Sequence, residues 1–120
     1  MSFIQQAQRT CAASYLLALA IQFYALGLAV FNVTSFVPHA LLGYGLVLSA
    51  TILATLTAVA RLPRTTIRLA VALVPLCIIQ PMLALLPREH APVVSALHAV
   101  NAMLIVLIAA VVARNSKPVA

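Results

Sequence analysis

The chain is 120 residues long, 65% hydrophobic and only 7% charged, with a mean hydropathy of +1.17. Soluble domains carry about 25% charged residues, so this balance excludes one. A net charge of +6 would suit nucleic acid in a soluble protein, but here the basic residues lie at or beside the ends of apolar runs. The charge is therefore a topology signal, and no nucleic-acid partner is expected.

Four apolar runs of about 20 residues are each long enough to cross a hydrocarbon core of about 30 Å. The expected fold is all-α: one antiparallel transmembrane four-helix bundle as a single domain over 1–120, with helices at about 10–31, 36–60, 66–86 and 92–113. Arg9, Arg61, Arg64, Arg68, Arg114 and Lys117 fall on one side of these spans, and Arg88 alone on the other. Short basic loops stay in the cytoplasm, so both termini are expected there. The polar start before Thr10 and the spanning length of the first run argue against a cleaved signal peptide.

In the first span Tyr15, Ala18, Gln22, Ala25 and Ala29 recur at spacings of three and four and share a face of mostly small side chains. Gln22 falls near the midplane, where its amide must point into the bundle. Asn32-Val33-Thr34 matches a glycosylation acceptor but lies against the bilayer, where the match is read as chance. Ser35 is the expected cap of the second span, Pro38 fits its first turn, and His39 sits near the outer surface. Gly43, Ala50, Ala54 and Thr57 continue a small-residue stripe below it. The link from Arg61 to Arg68 reads as a tight basic turn among anionic headgroups.

Pro75 and Pro81 free the carbonyls of Val71 and Cys77 in the third span and should bend it, with Gln80 beside the second break. Cys11 and Cys77 fall at different depths and are expected to stay unpaired. Glu89, the only acid, lies between Arg88 and His90 in an external loop and reads as part of a solvated cluster. The fourth span places His98 and Asn101 one turn apart inside an apolar run.

Threaded together, His39, His98, Gln80, Asn101 and Gln22 collect in the outer half, and the inner half is expected to be almost purely apolar. An ionisable residue inside a membrane is a functional candidate because burying it is costly. Two histidines on different helices, with Gly43 leaving room below His39, can ligate one haem b, while Arg88, His90 and Asn32 meet its propionates. The difficulty is depth, since His98 lies about 5 to 9 Å below His39 at 1.5 Å per residue. A quinone accepting hydrogen bonds from His98 and from Gln80 or Asn101 competes for the same residues. A metal without haem has too few strong ligands.

Other classes are excluded by chemistry. No span carries the carboxylate that a proton-coupled exporter needs, no Cys-x-x-Cys pair serves thiol-quinone exchange, and no nucleophile, base and acid share a depth. A channel would want a polar stripe through the full depth, which the apolar inner half denies it.

Gln22 followed by Gly27, Pro38-His39-Ala40-Leu41-Leu42-Gly43-Tyr44, Gln80, and Leu97-His98-Ala99-Val100-Asn101-Ala102 together resemble a family of small prokaryotic four-helix membrane proteins of unknown function. The architecture is also similar to four-helix b-type cytochromes, although histidines for a second, inner haem are lacking. The resemblance implies a prokaryotic cytoplasmic membrane and points to His39 and His98 without supplying a reaction.

The leading functional expectation is one b-type haem between His39 and His98, serving membrane electron transfer or the anchor of a redox complex. The alternatives are a cofactor-free accessory subunit of a membrane complex, a homo-oligomer packing on the small faces, or a binder or transporter of quinone, lipid or another small molecule. The chain is not expected to be an enzyme on its own.

Overall fold

The computed structural model describes residues 2–85 and 92–116, and those residues form four α-helices and no strand. They are α1 (Phe3–Val30), α2 (Val37–Val59), α3 (Arg64–Leu85) and α4 (Pro92–Asn115), each long and apolar enough to cross a membrane. Arg88, Glu89, His90 and Lys117, with the ion cluster read for that loop, lie outside the described residues.

Helix α1 starts seven residues earlier than the hydropathy suggested. Ser2 Oγ accepts from the Gln5 amide at 3.3 Å, and Gln5 Oε1 accepts from the Ser2 amide at 3.0 Å. This reciprocal capping box satisfies amides that a helix start leaves unpaired, so the polar segment before Thr10 is helical. At 28 residues α1 is about 42 Å long, more than a hydrocarbon core of about 30 Å requires.

Helices α1 and α2 both end through a residue in the left-handed region: Asn32 (φ 58°) and Arg61 (φ 54°). The Val33 amide reaches back to the Leu28 carbonyl at 2.8 Å, closing the last turn around Asn32. Asparagine tolerates this conformation well, which gives Asn32 a backbone role in the connection. At the other end of the bundle α3 begins at Arg64, directly after Pro63, and the Ile67 amide bonds to the Pro63 carbonyl. The expected basic turn is therefore shorter: Arg64 and Arg68 ride on the first turns of a helix, and Thr66 is buried. Helix α2 starts after Phe36; Ser35 contributes only a 3.4 Å contact to the Val37 amide.

The four helices run up and down as a square. Each packs on its chain neighbours, α1 and α4 close the ring less tightly, and the diagonal pairs do not meet. The interior is built from small or branched residues, including Ala12, Ala50, Ala70, Ala109, Leu53, Leu73 and Val112. The surface carries the large apolar side chains instead, among them Leu17, Leu48, Val71 and Leu107. Lipid solvates leucine as well as the protein interior does, so close approach of small residues sets which faces meet. Ser49, Thr51 and Thr55 face outward on α2, each donating its hydroxyl to the carbonyl four residues back. Those hydroxyls need no water.

Arg9, Arg61, Arg64, Arg68 and Arg114 all lie at one end of the square, which we call the basic end. The expectation of an almost apolar half there is wrong. Gln8, 1% exposed, donates to Thr57 Oγ1 at 3.2 Å and to Ser116 Oγ at 2.8 Å, joining α1, α2 and the end of α4. Thr57 and Ser116 pass their own hydroxyl protons to the carbonyls of Leu53 and Val112, and Asn115 donates to Thr66 on α3. The starting point of α1 hid this cluster: with the helix begun at Thr10, Gln8 had no face to belong to.

Candidate functional site: a histidine-bearing cavity in the distal half

At the distal end, away from the arginines, two contacts pin α3 to α4. Gln80 Nε2 donates to the His98 carbonyl at 2.9 Å, and His98 Nδ1 lies 2.9 Å from the Gln80 carbonyl. Each residue thus grips the other's backbone. Asn101 completes the seam by donating to the Leu76 carbonyl at 2.9 Å and to Gln80 Oε1 at 2.6 Å. Pro81 takes an amide out of α3, but the helix continues across both prolines, and the carbonyls used by α4 are those of Leu76 and Gln80 rather than that of Cys77.

On the opposite corner His39 Nδ1 lies 3.2 Å from the Gln22 carbonyl on α1. A carbonyl oxygen only accepts, so Nδ1 carries the proton in both imidazoles. In the neutral ring that leaves Nε2 of His39 and of His98 as lone-pair atoms, and neither has a hydrogen-bond partner among the described residues. A backbone carbonyl on Nδ1 is also how ligating histidines are commonly oriented.

Both histidines line a cavity of about 430 Å³ bordered by all four helices. Ala40, Gly43, Ala84, Ala99 and Ala102 make the space, and Phe23, Leu26, Tyr44, Leu85 and Met103 border it. Leu19, Leu46, Cys77 and Ile105 line it at the greatest depth. Just below, the buried Tyr15 hydroxyl and the Cys77 thiol meet at 3.0 Å, and both Cys11 and Cys77 are free, as expected. A smaller cavity of about 170 Å³ shares His39 and His98 with the first and adds Phe36, Leu83 and Ser95. Both histidines thus border the same two cavities.

Two buried polar atoms here have no partner among the described residues: Gln22 Oε1 and Ser95 Oγ. A buried acceptor left unpaired costs about 1–3 kcal/mol. Gly43 explains where Gln22 goes, because a Cβ at that position would stand 3.2 Å from Gln22 Nε2. The glycine makes room for the amide.

Of the residues singled out in the sequence, Gln22, His39, Gly43, Gln80 and His98 all border the larger cavity. Asn101 is on the seam between α3 and α4, 9% exposed, and supports Gln80. Asn32 lies exposed in the α1–α2 connection. Ser95 and Tyr44 were missed. Ser95 precedes His98 by three residues on one helix face, and Tyr44 follows Gly43, so helical spacing alone carried the signal for Ser95. No group of three or more potential metal-ligating side chains occurs among the described residues.

Fold and cavity together define a multi-pass membrane protein, a four-span bundle with one polar corner opened into a pocket. The chain belongs to a family of unknown function (DUF6220), whose model matches residues 22–87. That match includes Gln22, His39, Gly43 and Gln80 and stops short of His98 and Asn101. No curated protein and no solved structure matches the chain.

Proposed function

We propose that this protein holds one largely apolar ligand in its distal cavity, with His39 and His98 as the polar anchors. The observation that carries the proposal is the pair of Nε2 lone pairs left on the rim of an otherwise apolar space. About 430 Å³ lies within the range of small-molecule sites, about 300–1,000 Å³. With the described arginines at the opposite end, the positive-inside rule supports a cavity in the outer half of the membrane with both termini in the cytoplasm. A prokaryotic cytoplasmic membrane is the setting that goes with this reading.

Haem b is the redox form of the proposal. Iron takes two imidazoles, and Nδ1–H bonds to backbone carbonyls suit such ligands. The chain would then carry electrons in the membrane or anchor a redox complex. What supports it is that two imidazoles on different helices border one cavity; Arg88 and His90, expected at the propionates, lie outside the described residues. The test is an oxidised-minus-reduced visible spectrum of the detergent-purified chain, expressed with haem in supply, beside His39→Ala and His98→Ala. An α-band that disappears in both variants supports bis-histidine haem; a flat spectrum removes haem and leaves the cavity for an uncharged ligand.

The reading of an accessory subunit without a ligand draws on one observation of its own. The grip between Gln80 and His98 is a complete helix-packing device. It does not account for His39 Nε2 or Gln22 Oε1, which pack nothing.

A further inference from the structure

The polar atoms around the cavity differ in what they can still do. His39 Nε2, His98 Nε2 and Gln22 Oε1 are acceptors without a donor among the described residues. Several of the donors that a quinone carbonyl would need are committed. Both amide hydrogens of Asn101 are used within the bundle, as are one from Gln80 and the Nδ1 proton of each histidine. The Gln22 amide hydrogens remain, together with the second one on Gln80 and the hydroxyls of Ser95 and Tyr44, which have no partner among the described residues.

A ligand that brought only acceptors would satisfy those donors and give both imidazole lone pairs nothing to accept. A hydroxyl donates and accepts at once, so it can serve a histidine and an amide together. The anchors sit on different helices, α2 and α4, with Gln22 on α1, so a head with two well-separated hydroxyls meets more of them than a single alcohol does. The cavity is otherwise lined by alanine, leucine and aromatic side chains suited to a ring and the start of an apolar tail.

We propose that the cavity binds a hydroquinone, an aromatic diol on an apolar tail, in preference to the quinone formed from it by oxidation. This rests on the reading of the distal cavity as a ligand site. It concerns binding alone, with the His39 and His98 imidazoles accepting from the two hydroxyls and the Gln22 amide beside one of them.

The experiment is anaerobic equilibrium dialysis of the full chain in detergent against a short-tailed 1,4-benzoquinol and, separately, its quinone. The expected result is tighter binding of the quinol by about threefold or more, since a hydrogen bond to a half-buried imidazole is worth a factor of that order. His39→Phe keeps the volume and removes one acceptor, so it should cost the quinol about threefold or more and leave the quinone almost unchanged. Ala102→Phe and, from another helix, Gly43→Leu fill the cavity and should abolish both, with helicity retained by circular dichroism. Equal binding of the two forms, lost on filling the cavity, overturns the preference for the diol while leaving the cavity a ligand site. Failure of both forms to bind a helical, haem-free protein overturns the cavity reading itself. A haem band in the purified protein overturns the hydroquinone as resident ligand.

Discussion

The two ends of this bundle use the same kinds of side chain for opposite purposes. At the basic end Gln8, Thr57, Thr66, Asn115 and Ser116 meet one another directly, and Gln8, Thr57 and Thr66 are almost completely buried. At the distal end Gln22, His39, Gln80 and His98 border open space, with Gln22 Oε1 and two imidazole nitrogens unclaimed by any described residue. An amide in a membrane must find a partner, and whether it finds a side chain or a cavity distinguishes a fastening from a site. The lesson is that counting polar residues in a span does not locate function; the unpaired atoms do.

The sharpest way to break this contrast is at the fastening. Gln8→Ala removes two side-chain hydrogen bonds and leaves a void among α1, α2 and α4, and should destabilise the bundle by about 2–3 kcal/mol. Unfolding from mixed micelles into SDS, followed by circular dichroism, reads this out, and a change below about 0.5 kcal/mol would mean that the cluster fastens nothing.

His98→Ala at the distal end should cost less, about 1–2 kcal/mol, because it loosens one of the two bonds of the grip while the backbone contact from Gln80 can remain. Its larger effect is on the ligand, so binding and stability measured on one preparation should part company. A stability loss as large as that of Gln8→Ala would make His98 chiefly a packing residue.

Asn101→Leu keeps the volume but leaves Gln80 Oε1 and the Leu76 carbonyl without its amide, at a cost of about 1 kcal/mol. Through Gln80 it should also weaken ligand binding, a few-fold at most, and an effect equal to that of His98→Ala would assign Asn101 a direct contact. The smallest change is expected from Gly43→Ala. The added methyl presses the flexible end of Gln22 from 3.2 Å, so stability should move by less than about 0.5 kcal/mol while binding changes measurably. No response in either would show that Gln22 adapts freely and is not held in place by the glycine.

The sequence reading succeeded where lipid imposes a strict rule. A backbone in hydrocarbon must satisfy itself, so four apolar runs of spanning length dictated four helices, and short connections dictated that neighbours pack antiparallel. The same rule drew Gln22, Gln80, His98 and Asn101 inward. It misled at the water boundary, where hydropathy no longer decides. Ser2 and Gln5 extend α1 by a capping box, and only then do Gln8, Ala12, Tyr15 and Leu19 fall into a single buried row at spacings of four, three and four.

Residue type and spacing by themselves determined that the chain spans a membrane four times, which faces are small, and which polar groups lie within the spans. They could not determine which of those groups bond to one another, because that depends on the relative rotation and depth of four helices, and a shift of one turn, about 5.4 Å, exchanges every partner. Tertiary structure alone turned Gln80 and His98 onto each other's backbone, fixed the imidazole protons on Nδ1, and left Gln22 Oε1 beside Gly43 with nothing to accept.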